Sequence, residues 1–232
     1  MDYHRYRFGD TVGKSDGPDP RLAAIDATIP GGLEPFIKDN LCLDIGCNIG
    51  TFSRDLVLYF RARRVFGIDI DGRLISRAIR DIPAEHKKSF GYATLDYAAN
   101  DSTVTPNRYA AVFCMSVSKW IHLHGGDDAV RRALRRMCLE VRADGIVVLE
   151  PQVWETYGRK KNMTPETASN YASINFFPEQ FVEYMERECE MQLMALISGD
   201  ENASKGFQRP IYILQRKRHD TDYKVREKSR DK

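Results

Sequence analysis

The chain is poor in the residues that usually give a function away. It has five cysteines in 232 residues, at positions 42, 47, 114, 138 and 189, an odd number with no Cys-x-x-Cys pair. That spacing argues against a disulfide framework or a zinc site and fits buried free thiols in a reducing compartment. The five histidines are scattered, so no metal site is expected. No apolar run approaches a membrane span and no charged-then-apolar leader opens the sequence. The expected setting is inside the cell, nuclear or cytoplasmic, with no membrane partner. Charge of one sign is also missing. A formal net charge of +2 carries no global polyelectrolyte signal, so any nucleic-acid footprint must be local. Apolar content of 42% and charged content of 29% are ordinary for a soluble domain, and the length suits one large α/β domain.

Against that plain background one segment stands out. Leu41-Cys42-Leu43-Asp44-Ile45-Gly46-Cys47-Asn48-Ile49-Gly50 is an apolar run ending in an acid, then a glycine turn, with a helix predicted from Thr51. The next apolar run, from Val65, also ends in acids, at Asp69-Ile70-Asp71. A carboxylate about 20 residues past a glycine loop commonly binds a ribose. A dinucleotide would prefer Gly-x-Gly-x-x-Gly, because its pyrophosphate sits on the helix N-terminus. Asp44 at the strand end would repel a pyrophosphate and would suit the ammonium and sulfonium of S-adenosylmethionine (SAM). An ordinary strand-turn-helix with incidental glycines is the plain alternative.

The rest of the pattern alternates. Strands are predicted at Leu41 to Ile45, Arg64 to Ile68, Ser89 to Thr94, Tyr109 to Met115 and Ile146 to Glu150. Helices are predicted at Thr51 to Phe60, Gly72 to Ile82 and Asp127 to Val141, with a short helix near Pro20 to Ile25. This order implies a doubly wound, Rossmann-like parallel sheet. A helix at Pro178 to Glu188 and two strands at Met191 to Ile197 and Ile211 to Leu214 give the sheet a hairpin-like antiparallel end. The organisation is an aromatic and basic arm with a short helix over residues 1–30, a catalytic domain over 31–215 and a charged tail over 216–232.

Ligands in such sheets bind at the carboxyl ends of the strands. That gathers Asp44, Gly46, Asn48, Gly50, Asp69, Ile70, Asp96, Tyr97 and Met115 around a cofactor cleft. Asp96 is either an acceptor for an adenine amino group or a capping residue. Lys119, in the segment Ser116 to His122, is placed to meet an anion. Trp120 reads as core and His122 as structural. Tyr157-Gly158-Arg159-Lys160-Lys161 and Lys205-Gly206-Phe207-Gln208-Arg209 are basic, aromatic loops that fit a polyanionic substrate or are simply solvated. Arg131, Arg132, Arg135 and Arg136 read as a solvated helix face.

The chain resembles the RNA 5′-phosphate methyltransferases of the bicoid-interacting type, which include the methylphosphate capping enzyme of small nuclear RNA. The residues that carry the resemblance are Leu43 to Gly50, Gly67 to Asp71, Cys114 to Leu123, Leu149-Glu150-Pro151-Gln152 and Ser204 to Pro210. It implies a class I SAM-dependent methyltransferase of seven strands, the last antiparallel, with S-adenosylhomocysteine as product and a 5′-phosphorylated RNA as partner. It also implies ribonucleoprotein proteins as further partners of a monomer. Tyr6 would be a site tyrosine of the arm, with Arg5 beside it, and Arg21 would sit near the SAM carboxylate. Tyr157, Arg159, Lys160 and Lys161 would grip phosphate, with Lys119, Lys205 and Arg209 as further phosphate contacts. A phosphate oxygen is already anionic, so no general base is assigned. Leu95-Asp96-Tyr97 is similar to relatives acting on monophosphate ends and Lys205 to Pro210 to those acting on triphosphate ends. Two other functions stay open: methylation of a small molecule or protein, and a non-catalytic RNA-binding component of a particle.

Overall fold

The computed structural model describes residues 17–99, 104–199 and 209–217. The expectations for Arg5, Tyr6, Lys205 and the tail beyond Lys217 lie outside the described residues. The strands are β1 (Leu41–Ile45), β2 (Arg64–Asp69), β3 (Phe90–Thr94), β4 (Tyr109–Met115), β5 (Val141–Glu150), β6 (Met191–Ile197) and β7 (Ile211–Arg216). They form a seven-stranded sheet in the order β3-β2-β1-β4-β5-β7-β6. β1 to β5 pair in parallel, and β7 lies antiparallel between β5 and β6. β6 therefore runs with β5, and the end of β6 at Ile197 and the start of β7 at Ile211 lie at the carboxyl end of the sheet.

Alternate side chains of each strand feed opposite faces. Leu43, Ile45, Val112, Cys114, Val147 and Leu149 point to a core shared with α5 (Ser118–Glu140) and α7 (Phe181–Glu188). Cys42, Val65, Ala111, Phe113, Ile146 and Val148 point to a core shared with α1 (Pro20–Thr28), α2 (Glu34–Ile37) and α3 (Thr51–Leu58). β4 is buried at all seven positions, as expected of a central parallel strand covered on both faces. The remaining helices are α4 (Gly72–Arg80) and α6 (Pro165–Ser173).

Most expected elements appear within a few residues, and the exceptions have physical reasons. The helix expected from Asp127 begins at Ser118, because the Ser116 to His122 segment is itself helical; a break at Gly126 (φ 67°) divides it. The turn at Asp144-Gly145 sits inside β5, where the pairing jumps from Tyr109–Val141 to Ala111–Ile146. α6 was not foreseen. It starts at a capping box in which Thr164 and Thr167 exchange backbone-to-hydroxyl bonds, and it carries only one buried residue, so it has little apolar period to read. The strand ending the sheet continues to Arg216, whose Nη1 donates to the Val141 carbonyl at 2.7 Å.

The arginine face of α5 needs correction. Arg136 is 5% exposed. Its Nε donates to Glu140 Oε1 at 3.2 Å and its Nη1 to the Tyr97 carbonyl at 3.1 Å. Its guanidinium lies 4.2 Å from the Tyr97 ring centroid. Arg131 stacks on Phe176 at 3.8 Å, and Arg132 donates to the Ala98 carbonyl. Only Arg135 of the four is exposed. The Glu140→Ala variant leaves the buried Arg136 charge and the Tyr97 hydroxyl without their acceptor, an expected loss of about 3–5 kcal/mol in urea unfolding. Arg135→Ala is expected to stay within about 0.5 kcal/mol of the parent.

Candidate cofactor and phosphate site

The glycine turn after β1 is pinned to the tip of β2. Gly46 N and Cys47 N both donate to the Ile68 carbonyl, at 2.8 and 2.9 Å. Asn48 N donates to Asp69 Oδ2 at 2.9 Å. Gly46 has φ 69°, and a Cβ there would meet Val117 Cγ2 at 2.3 Å. Gly50 has φ 78° and caps α3, and a Cβ there would meet the Tyr92 hydroxyl at 2.4 Å. Both positions need glycine for conformation and for space. The Asp44 carboxylate lies under this turn, 2% exposed, and accepts from Ser53 Oγ at 2.6 Å. Burial pushes its pKa up to about 6, against the pull of that hydrogen bond and of Arg21.

Asp69 stands at the tip of β2 with Oδ2 on Asn48 N and Oδ1 on Asp71 N at 2.9 Å. The Ile70 backbone also donates to this carboxylate, which still leaves it acceptor capacity for a ligand hydroxyl. Burial raises its pKa, opposed by those backbone donors. Ile70 beside it is 49% exposed, an apolar surface suited to the face of a purine. Met115 closes β4 and is buried. Asp96 is exposed, and its Oδ1 accepts from Ala98 N at 3.0 Å, so it organises its own turn.

Arg21, on the first turn of α1, reaches the carboxyl end of the sheet. Its Nη1 donates to Glu150 Oε2 at 2.9 Å, and its Nε and Nη2 donate to Asp19 at 3.0 and 2.7 Å. Burial alone would lower its pKa; Asp19 and Glu150 outweigh that and raise it. Of its five N–H groups, these three bonds leave two for a ligand carboxylate. A strand-tip carboxylate with an apolar neighbour and an arginine near the end of β5 fit the groups of SAM.

Beside this cleft lies a cluster of cations. Lys119 is buried, and its Nζ donates to Thr156 Oγ1 at 3.4 Å. Burial, then Arg209, Lys160 and Arg159, push its pKa down to about 8. Arg209 Nη1 donates to Ser116 Oγ at 2.5 Å. The turn carrying Lys119 is held from β5: Gln152 Oε1 accepts from Lys119 N at 3.1 Å, and Gln152 Nε2 donates to the Ser116 carbonyl.

Three expected contacts are placed differently. The Tyr157 side chain is 0% exposed and packs against Trp154 and His122, so it walls the site instead of facing phosphate. His122 Nδ1 lies 3.4 Å from the Tyr157 hydroxyl, and Nε2 lies 2.8 Å from Asp127 Oδ1. Burial lowers the His122 pKa, with Asp127 opposing, which agrees with a structural histidine. The Tyr97 side chain is buried too, its hydroxyl donating to Glu140 Oε2 at 2.8 Å, so it does not line the cofactor cleft. Lys161 Nζ lies 5.1 Å from the Tyr171 ring centroid and is not among the cations that act on Lys119. Trp120, expected in the core, is half-buried with Lys119 Nζ 5.1 Å from its ring centroid.

Sequence reasoning passed over Glu150 and Gln152 as site residues and placed Ser116 only within the Ser116 to His122 segment at the cleft. A signal existed for Glu150: like Asp44 and Asp69, it is an acid at the end of an apolar strand. Two cavities of about 240 and 290 Å³ open elsewhere, over the face of β2 beside Phe66 and Ile68, and of the candidate residues they hold only Tyr97. Among the described residues no group of three or more His, Cys, Asp or Glu is placed to hold a metal ion, and no helix is long and apolar enough to cross a membrane.

The comparisons with known proteins agree with this geometry. A family model for Bicoid-interacting protein 3 (Bin3) matches residues 109–216, and one for a methyltransferase domain matches residues 43–149. The U6 snRNA methylphosphate capping enzyme Amus of Drosophila melanogaster is 30% identical over 91% of this chain and 73% of its own length. The 7SK snRNA methylphosphate capping enzyme of Homo sapiens is 30% identical over 76% of this chain, which spans 34% of that protein. An RNA 5′-monophosphate methyltransferase of Mus musculus is 33% identical over 53% of this chain and 50% of its own length. Among solved structures, N-methyltransferase NodS of Bradyrhizobium japonicum with S-adenosyl-l-homocysteine aligns with a TM-score of 0.61 at 14% identity, over 85% of this chain and 84% of that one. That likeness supports the class I methyltransferase fold, and SAM is the cofactor.

Asp69→Ala is expected to lower S-adenosylhomocysteine affinity at least about tenfold by calorimetry and to cost about 1–3 kcal/mol of stability, because Asp69 is the acceptor of Asn48 N and Asp71 N and the residue expected to meet the ribose. Lys119 is charged below its depressed pKa and neutral above it. Phosphate binding is therefore expected to weaken as pH rises from 7 to 9. Lys119→Arg, whose charge persists, is expected to flatten that profile in a titration with 5′-phosphorylated RNA.

Proposed function

The chain belongs to the Bicoid-interacting protein 3 (Bin3) family, and we propose that it transfers the methyl group of SAM to an oxygen of the 5′-terminal phosphate of an RNA. The observation that carries the reading is the cation cluster of Lys119, Arg159, Lys160 and Arg209 beside the pinned glycine turn. Four cations exceed what a single phosphate of about −1.5 to −2 charge needs and suit a triphosphate, with the γ-phosphate as acceptor. The names of the fly and human relatives, both methylphosphate capping enzymes, support that choice. The same names support an intracellular setting with ribonucleoprotein association.

Bound SAM supplies an electrophilic methyl on a sulfonium, and the transfer makes an O–C bond as the S–C bond breaks. The protein's task is positioning. Asp69, Ile70 and the turn orient the adenosine, and Arg21 takes the carboxylate. Lys119 and Arg209 hold the phosphate so that one anionic oxygen faces the methyl at a near-attack distance of about 3–3.5 Å. No proton leaves the nucleophile. That suits a site beside which His122 is engaged by Asp127 and Tyr157. The cations must neutralise the phosphate enough to bring it in without quenching its oxygens. A lysine with a depressed pKa suits that balance better than an added arginine.

Labelled-methyl transfer from SAM to one synthetic RNA with a 5′ hydroxyl, monophosphate or triphosphate tests the reading. Transfer to the triphosphate, less to the monophosphate and none to the hydroxyl is expected. Equal transfer to the hydroxyl end would point to a different acceptor. Arg209→Ala is expected to raise the KM for RNA at least about tenfold while moving the KM for SAM less.

A further inference from the structure

Glu150 ends β5 with its side chain 1% exposed. Oε2 accepts from Arg21 Nη1 at 2.9 Å and from Ser116 Oγ at 2.7 Å. Ser116 Oγ in turn accepts from Arg209 Nη1 at 2.5 Å. A hydroxyl has one proton and two lone pairs. The proton goes to Glu150 and a lone pair goes to Arg209. One buried carboxylate therefore joins the arginine at the cofactor end of the cleft to the arginine at its phosphate end, through a single hydroxyl.

The backbone around that hydroxyl is constrained. Ser116 has φ 63°, a left-handed conformation unusual for serine. It is held there by Ser116 N donating to the Glu150 carbonyl at 3.0 Å and by Gln152 Nε2 donating to the Ser116 carbonyl. With the main chain fixed, the orientation of Oγ depends on the Glu150 carboxylate. Burial of an unpaired carboxylate is costly, so Glu150 keeps both partners, and fixing either one fixes the other.

We propose that Glu150 is a positioning residue that couples the two halves of the site, so that cofactor bound at Arg21 orders Arg209 for the RNA phosphate and bound phosphate orders Arg21 for the cofactor. The proposal rests on the function proposed above. An Arg21 held by cofactor, Asp19 and Glu150 together fixes the carboxylate, the carboxylate fixes the Ser116 proton, and the free lone pair fixes Arg209. Whichever ligand arrives first orders the chain, and the second binds to an arranged partner. Linkage requires the enhancement to be equal in both directions.

Calorimetry tests this with S-adenosylhomocysteine and a 5′-triphosphorylated oligonucleotide. Each is titrated alone and in the presence of the other, into the parent protein, Glu150→Gln and Ser116→Ala. In the parent, each ligand is expected to tighten the other about fivefold or more, by the same factor both ways. In both variants that factor is expected to fall close to one, even where each ligand alone still binds. A merely structural role would lower both affinities and leave the factor unchanged. If Glu150→Gln does not fold, Ser116→Ala carries the test, since it removes only the hydroxyl link. A persistent factor in folded Ser116→Ala would overturn the proposal, as would a parent that binds both ligands independently. A parent that binds neither ligand would overturn the functional reading together with the proposal.

Discussion

The site depends on the clamp between the turn after β1 and the tip of β2. Two turn amides share the Ile68 carbonyl and a third reaches Asp69. Parallel strands end with their carbonyls and last side chains pointing out of the sheet, so the end of one strand can take the amides of the next turn. This fixes where the turn's remaining surface faces. It also explains why Asp69 has to be an acid. A carboxylate accepts from Asn48 N, Asp71 N and the Ile70 backbone and still has acceptor capacity for a hydroxyl, which an amide side chain, with one oxygen, would not match.

The same device appears three times along the sheet. Asp44 lies one residue before the end of its apolar strand, Asp69 and Glu150 end theirs, and each is tied by a hydroxyl or backbone donor: Ser53 to Asp44, Asn48 and Asp71 to Asp69, Ser116 to Glu150. Their positions divide the work. Asp44 lies beneath the turn and shapes it from inside. Asp69 stands at the rim, where the proposed ribose contact lies. Glu150 sits between two arginines and offsets their charge. The repeated pattern of acid at the strand tip comes from topology: the carboxyl end is the only edge of a doubly wound sheet where all the turns converge.

Much of this was legible in the sequence, for reasons that also mark the limits. β1 and β4 were read with their observed bounds because continuous apolar runs closed by an acid or a polar turn leave little choice of register. The glycine turn was legible because its positive-φ positions demand residues that few other contexts need. Burial of polar side chains was not legible. Arg136 looks like the neighbouring arginines of α5 until Glu140, one helical turn on, and Tyr97, far away in the chain, are seen to enclose it. Tyr157 lies beside three cations in the sequence, but its ring faces the opposite way, into Trp154 and His122. The Glu150 network joins residues 129 and 34 positions apart, and no local pattern records a contact of that kind.

The electrostatics of the phosphate end follow from the same geometry. Lys119 lies at the start of a helix whose backbone Gln152 holds, and its Nζ donates to Thr156 Oγ1 on the side of Arg159, Lys160 and Arg209. Mutual repulsion and burial then act on it together and lower its proton affinity. Such a cluster is relieved by an anion, which on the proposed function is the RNA phosphate. The relief is greatest for the ligand with the most charge in the least volume. A chain of adjoining phosphates meets that condition, and a hydroxyl or a neutral amine does not. On the proposed function, holding four cations close together with one of them buried favours a phosphorylated end over a hydroxyl or an amine.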